Sequence, residues 1–259
     1  MPLTVVTHTG PHPVDIAPSA ERPVRASARD LDAAKVLASH RHDWGQVTYA
    51  SSGVLQVKAL GSTWIVPPQR AIWIAPDIDH EIVILEDARL RALYVHAQRA
   101  PFRGSECKTL EVSALLRELI AALGQADPGP REQLLAELIL DEMAGAATRP
   151  IRVPLPEDKR LAALCDAVLA EPGASLTLSG WAARVGASER TLARLFEREL
   201  GLTFGQWRQQ ARLAHAAPLI ARGMPLAQVA DALGYASQSA FSAMFRKTFG
   251  SSPSAFFTR

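Results

Sequence analysis

The chain has 259 residues, with 28 Lys/Arg against 26 Asp/Glu, 48% hydrophobic residues and two cysteines. That length holds two domains with cores of their own. Two widely separated cysteines argue against a disulfide framework and fit a reducing cytosol, and neither a run of about 18 apolar residues nor the basic-then-apolar order of a signal peptide is present. The charge is unevenly spread: residues 152–259 carry 13 Lys/Arg against 8 Asp/Glu, while residues 1–151 carry 15 against 18. A modest basic excess in the C-terminal half fits a nucleic-acid module, although such a bias is by itself commonly a solvated surface.

Residues 1–30, rich in Pro, Ala and Arg, read as a loose arm with a short strand at Val5–Val6. From His40 to His96 the texture is β. Val47 and Tyr49 alternate with polar neighbours, as do Leu55, Val57 and Ala59 with Gln56 and Lys58. Ile72–Ile74, Ile82–Leu85 and Leu90–Val95 are short apolar runs between Gly, Pro and Asp. Closely spaced short strands predict a small barrel or jelly roll, with Pro67, Pro68 and Pro76 in loops or at edges. Trp44, Trp64, Trp73 and Tyr94 are candidates to line its mouth, with barrel core as the default for such aromatics. Residues 97–108 read as a connector. Leucine spacing then predicts helices over 110–123 and 131–146, which cover the barrel, pair with a second chain, or do both. Residues 148–156, with Pro150, Pro154 and Pro156, read as an extended linker. The expected divisions are an arm (1–30), a barrel domain (31–108), a helical linker (109–156) and an all-α domain (157–259).

The C-terminal domain carries one pattern twice: Ala182, Val185, Gly186, Ser188, Leu192, Phe196, Leu200, Gly201, and then Ala230, Leu233, Gly234, Ser237, Phe241, Phe245, Phe249, Gly250. Each copy predicts a helix-turn-helix. A small alanine lets two helices approach, and a glycine ends the first helix in the left-handed region. A serine N-caps the second helix, and apolar residues at i and i+4 bury one of its faces. One copy matches many ordinary helical hairpins; two in matched register argue for a designed unit. A helix over 157–170 precedes them, Thr177 caps the next, and one long helix over 204–222 connects the copies. Pro218 within it predicts a kink or an early end, because an interior proline costs about 3 kcal/mol. Pro225 suits the first turn of the following helix.

The stretch GYASQSAFSAMFRKTFGSSPSAF (234–256) is similar to the signature of the AraC/XylS family of bacterial transcription regulators, and LARLFERELGLTFGQW fits its first half. The resemblance implies two helix-turn-helix units joined by one helix, with recognition helices in successive major grooves about 34 Å apart. On the free faces, Arg190, Thr191 and Arg194, then Gln238, Ser239 and Ser242, are the candidate base contacts. Arginine can bond guanine, and glutamine adenine, in a bidentate manner. Arg198, Arg208, Arg246 and Lys247 are the candidate phosphate contacts, which give affinity without sequence information. Ala240 and Ala243 on the second helix thin its direct readout.

In the N-terminal half, His40-x-His42-x3-Gln46-x6-Gly53 resembles the first cupin motif, with Gln46 where glutamate usually stands, and Pro76-x3-His80 resembles the second. The fold class is therefore multi-domain α+β: a cupin-like jelly-roll barrel with a helical linker, and an all-α tandem helix-turn-helix domain. The resemblance implies two histidines on one strand and a later third as ligands of a divalent transition metal. Three readings of His40, His42, Gln46 and His80 stay open: a metal site, a metal-free effector pocket, and locally satisfied structural histidines. The function implied is a cytoplasmic, sequence-specific regulator that senses a small molecule or metal and binds operator DNA. A homodimer and RNA polymerase stand among its expected partners, and a membrane does not. The rivals are a metal-dependent cupin enzyme, which the missing carboxylate disfavours, and a structural nucleoid binder.

Overall fold

The computed structural model describes residues 4–6, 16–146 and 150–258. Residues 1–3 and 7–15 of the expected arm, and 148–149 of the expected linker, lie outside the described residues, and the end of the expected loose arm is instead a strand, Val24–Leu31, paired along the sheet. Two compact units result: residues 1–60 with 66–150, and residues 61–65 with 151–259.

The first unit is built from two sheets. One has the order β10-β7-β4-β9-β2, from β2 (Val24–Leu31), β4 (Gly45–Ala50), β7 (Arg70–Ile74), β9 (Ala88–Val95) and β10 (Cys107–Glu111), all antiparallel. In the other, β3 (Lys35–His40), β8 (His80–Ile84) and β5 (Leu55–Ala59) are antiparallel neighbours, and β1 (Thr4–Val6) joins β3 in parallel. In β5, Leu55, Val57 and Ala59 are buried while Gln56 and Lys58 are not, as a two-residue period dictates. Every residue of β4 is buried, because both its faces are covered. Val47 and Tyr49 join a core with Trp73, Leu93 and Leu110, while Gln46 and Thr48, on the other face, are linked to each other. Trp73 fills the space above Gly45, where a Cβ would lie 1.9 Å from its ring, so only glycine fits there.

That core is closed by two helices, α1 (Ala114–Leu123) and α2 (Pro130–Gly145), through Leu116, Leu119, Ile120, Ile139 and Met143. They cover a sheet face and lie within the first unit. The helix expected to start at Leu110 starts at Ala114 instead. Leu110 lies in β10, paired with Ala71, and Ser113 caps α1 by accepting from the Leu116 amide.

The second unit opens on an antiparallel pair, β6 (Ser62–Val66) with β11 (Ile151–Pro154), registered Ile65↔Ile151 and Ser62↔Pro154. The proline-rich stretch is thus partly a strand, not an extended linker. Pro154 falls at its last residue, and Pro150 stands just before it. Helices α3 (Lys159–Ala170), α4 (Leu178–Arg184), α5 (Glu189–Leu195), α6 (Phe204–Ala221), α7 (Leu226–Ala232), α8 (Gln238–Phe249) and α9 (Pro253–Thr258) follow, with a π-helical turn at Phe196–Leu200. Trp181, Phe196, Trp207, Phe241 and Phe245 are fully buried.

The helix α6 runs through Pro218 to Ala221, so of the two expected outcomes, a kink or an early end, the early end does not occur. The proline begins the final turn, so little ladder remains beyond it. Pro225 is the N-cap of α7, one residue before the expected position.

Both helix-turn-helix turns use left-handed glycines, Gly186 at φ 66° and Gly234 at φ 70°. The two differ in their surroundings. A Cβ at Gly186 meets nothing within 4 Å, whereas one at Gly234 would lie 2.3 Å from the Gly173 carbonyl oxygen. A left-handed backbone costs a non-glycine residue about 1–2 kcal/mol. Gly186→Ala should therefore lose about 1 kcal/mol and Gly234→Ala clearly more, about 2–4 kcal/mol. Urea titrations of the two variants, followed by helical circular dichroism, check the order; equal losses would contradict it.

Candidate functional site

In the first helix-turn-helix, α4 and α5 are set by three local devices. Thr177 caps α4 by accepting from the Gly180 amide. Ala182 is buried, and its carbonyl accepts from the Ala187 amide across the turn. Ser188 caps α5 by accepting from the Thr191 amide. Leu192 and Leu195 face the core, which turns Arg190 and Arg194 outward. Both are exposed and make no hydrogen bond or ion pair among the described residues. Thr191 is half-buried, and its hydroxyl is joined to that of Ser188 at 2.8 Å. Arg198 lies four residues on, exposed within the π-helical turn and paired with Glu199 at 3.0 Å.

The second unit of the pair repeats the design. Ala230 is fully buried, Ser237 caps α8 through the Ala240 amide, and Phe241 and Phe245 point inward. Gln238, Ser239, Ala240, Ala243, Arg246 and Lys247 are exposed, and Ser242 is half-buried. Arg246 and Lys247 make no hydrogen bond or ion pair among the described residues. A shallow face with two alanines, followed by two cations, is the relief expected from the sequence.

Two arginines of α6 act differently. Arg208 donates to the Leu176 carbonyl at 2.9 Å and stacks over the Phe204 ring at 5.0 Å. Burial holds its pKa below the usual arginine value. Arg212 donates to the carbonyls of Pro172 and Ala174 and lies over Tyr235. Both brace α6 against the α3–α4 connection, so Arg208 is tied inward and does not stand out as an open phosphate hook. Glu199 was not singled out from the sequence. Its carboxylate accepts from the Glu157 and Asp158 amides just before α3, contacts 42 and 41 residues away that no local pattern announces.

In the first unit, His40, His42 and His80 converge. His40 and His80 are cross-strand partners, with a bulge between Leu37 and His40. His42 lies beyond β3, in the turn toward β4, rather than on the same strand as His40. Its carbonyl accepts from the Asp77 amide, which ties the β3–β4 turn to the loop that delivers His80. The three rings lie with centroids 4.3–5.8 Å apart, and each offers a nitrogen within 4.8 Å of the others.

Each Nδ1 is bonded to a backbone carbonyl: His40 to Ala38 at 2.9 Å, His42 to Trp44 at 2.7 Å and His80 to Ile78 at 2.9 Å. A carbonyl only accepts, so each Nδ1 carries the proton, and in a neutral ring Nε2 carries the lone pair. His42 also meets the Gln46 amide at 2.9 Å, and that amide meets the Thr48 hydroxyl at 2.6 Å. Burial pushes the His42 pKa down, which favours the neutral ring. The consistent assignment has the Gln46 NH2 donating to His42 Nε2, and the Gln46 oxygen accepting from Thr48. Thr48, fully buried, was not picked out from the sequence. Its signal was there as a second polar residue at i+2 on the interior face of a strand.

Trp44 stacks on His42 at 4.8 Å and 7° and meets Tyr94 at 6.5 Å, and burial pushes the Tyr94 phenol upward. The other two expected aromatics lie elsewhere. Trp73 packs under the helices with Phe102, and Trp64 is covered by Arg152 at 5.2 Å in the second unit. The cavity that His40, Gln46 and Tyr94 line measures about 20 Å3.

An AraC-like ligand-binding domain family matches residues 25–142, and a helix-turn-helix domain family matches residues 181–259. The HTH-type transcriptional regulator NimR of Escherichia coli is 32% identical over 226 residues, covering 85% of this chain and 82% of NimR. The chain belongs to the AraC family of transcription regulators. The arabinose operon regulatory protein of Salmonella typhimurium is 31% identical over 166 residues, 62% of this chain and 58% of that protein. Among solved structures, ToxT from Vibrio cholerae covers 91% of this chain and 95% of its own at 12% identity, with a TM-score of 0.39. As in the family, a ligand-binding domain precedes a DNA-binding domain, and these relatives give the enzyme reading no support. No helix among the described residues is long and apolar enough to cross a membrane.

Proposed function

We propose that this regulator reads an operator through α5 and α8 in successive major grooves and acts in the cytoplasm. The observation that carries the reading is the pair of exposed faces. Arg190 and Arg194 on α5, and Gln238 and Ser239 on α8, stand outward, while Leu192 and Leu195 of α5 and Phe241 and Phe245 of α8 are buried. Thr191 and Ser242, half-buried at the edges of these faces, supply shorter-range contacts to the same bases. Arg198, Arg246 and Lys247 meet phosphate, while Arg208 mainly sets the angle of the connecting helix. Selection of operator sequences from a random DNA pool at physiological salt tests this. Two half-elements about one helical turn apart are expected; recovery of a single element, or of none, would overturn tandem readout. The salt condition matters because phosphate contacts alone bind tightly when salt is low.

The regulator works as a homodimer in this reading. Leu134 and Leu138, four residues apart on α2, are 67% and 52% exposed, and Leu115 on α1 is 55% exposed, although the opposite sides of both helices are buried. A second copy is the occupant that such a self-complementary leucine face suits. Leu134→Glu with Leu138→Glu should give a folded monomer by light scattering; a wild-type chain that is already monomeric at tens of micromolar would refute the interface. Activation would add a contact with RNA polymerase and repression would not, which transcription from the selected operator with purified polymerase distinguishes.

A further inference from the structure

We infer that Arg212 sets the spacing between the two operator half-elements: from α6 it grips the first helix-turn-helix and the second at once, and so holds α5 and α8 at one separation. The inference rests on the tandem readout proposed above and makes Arg212 a positioning residue, not a base contact. Three observations carry it together.

The first is the reach of one side chain. Arg212 Nε donates to the Pro172 carbonyl at 3.0 Å, and Nη2 reaches the Ala174 carbonyl at 3.4 Å. Both carbonyls lie in the connection that leads into the Thr177 cap of α4. The same guanidinium lies over the Tyr235 ring, 5.3 Å from its centre, and Tyr235 follows Gly234 in the turn that leads into α8. A planar fork that donates at its edge and stacks through its face is particular to arginine; a lysine ammonium is a point charge on a flexible stem.

The second is the backbone beside it. Gly173 and Gly234 meet with no room for a side chain on either. A Cβ at Gly173 would lie 2.6 Å from the Ala232 carbonyl oxygen, and one at Gly234 would lie 2.3 Å from the Gly173 carbonyl oxygen and 3.2 Å from Arg212 Nη2. The lead-in of the first helix-turn-helix therefore rests directly on the turn of the second, with the guanidinium across the joint. Close-packed main chain of this kind transmits a shift on one side to the other.

The third is the contrast with its neighbours on α6. Arg208 donates to the Leu176 carbonyl of the first helix-turn-helix, and Gln209 donates to the Thr248 hydroxyl of the second at 3.0 Å. Each of these bonds fastens one side to the connecting helix, whereas Arg212 fastens the two sides to each other. One base pair inserted between the half-elements moves the second by about 3.4 Å and turns it by about 34–36°. Recognition helices held at a fixed separation cannot follow that displacement, and a looser pair can.

The test uses the full chain and the operator recovered by the selection above, remade with one base pair added or removed between the half-elements. Wild type should lose about 10- to 100-fold in affinity at either altered spacing, as misplacing the contacts of one half-element dictates. Arg212→Lys keeps the charge, so it should bind all three spacings within about 3-fold of one another and keep the wild-type salt slope. Tyr235→Leu removes the ring face, leaves Arg212 in place and should relax the spacing in the same direction. Cys165→Ala loosens the buried core of α3 away from both turns and should keep the wild-type preference. Thermal melts establish which variants are folded, and either of the first two suffices. A folded Arg212→Lys or Tyr235→Leu that discriminates spacing as sharply as wild type overturns the clamp and leaves tandem readout standing. A wild type indifferent to spacing does the same, as does equal relaxation in Cys165→Ala, which would assign the effect to stability. Recovery of no paired half-elements by wild type overturns the tandem reading itself, and the clamp with it.

Discussion

Trp207→Ala should abolish most of the stability of the DNA-binding unit. The side chain is fully buried, its indole nitrogen donates to the Pro154 carbonyl at 2.8 Å, and its ring lies 5.8 Å from that of Phe196. Deleting a buried tryptophan costs about 3–5 kcal/mol, a large share of the roughly 5–15 kcal/mol that holds a domain folded. Trp207→Phe keeps most of the ring burial and loses the hydrogen bond, leaving the Pro154 carbonyl unmatched, for about 1–3 kcal/mol. The gap between the two variants apportions packing and hydrogen bonding. Denaturant titration followed by the helical signal reads it. A loss under about 1 kcal/mol for the alanine variant would show that α6 and β11 are not held together as described. The wider consequence is for DNA binding, because α6 is the rod on which both helix-turn-helix units are mounted, and Trp207 anchors its first turns to β11.

What was legible in the chain and what was not divides along the range of the interaction. The turn glycines Gly186 and Gly234 and the caps Ser188 and Ser237 are dictated by the backbone within a few residues of themselves, and the structure places them as the repeated pattern required. The alternation in β5 is equally local. Residues 151–154 misled because prolines read as a linker, while the reason they form a strand, the partner Ser62–Ile65, lies 86 to 92 residues upstream. Leu110 read as the start of a helix because leucine follows leucine every few residues thereafter; the strand partner Ala71 decided otherwise. Pro218 did not end its helix: an interior proline is penalised for the bond and the space it denies, and here only the final turn lies beyond it. The histidine cluster was legible in membership and not in mechanism. The resemblance to the cupin motifs named His40, His42, Gln46 and His80, but the carbonyls that fix each Nδ1, and Thr48 behind Gln46, follow from turns and sheet faces that only the fold assembles.

Arg194→Ala is expected to weaken binding to the selected operator and to flatten preference at one base position. Arg194 stands exposed on α5, one turn after Arg190, with no protein partner among the described residues competing for its guanidinium. Loss of a bidentate contact to guanine removes about 1–3 kcal/mol of discrimination, so affinity for the preferred site should fall about 5- to 150-fold while non-specific binding changes little. Arg246→Ala provides the contrast. Arg246 is also exposed and unpartnered among the described residues, but it lies in the last turn of α8, behind the readable face. Its loss should lower affinity for all sequences alike and reduce the slope of log affinity against log salt by about 1. The two variants therefore differ in kind and not merely in size: one changes which sequence wins, the other how binding responds to salt. Titrations of each variant against single-base operator changes at two or more salt concentrations make the comparison. Uniform weakening by Arg194→Ala, with preference intact, would move that arginine to the phosphate class. The sequence readout of the first helix would then rest on Arg190 and Thr191. Because Thr191 is already joined to the Ser188 cap, most of that burden would fall on Arg190, and Arg190→Ala should then reproduce the flattened preference that Arg194→Ala had failed to show.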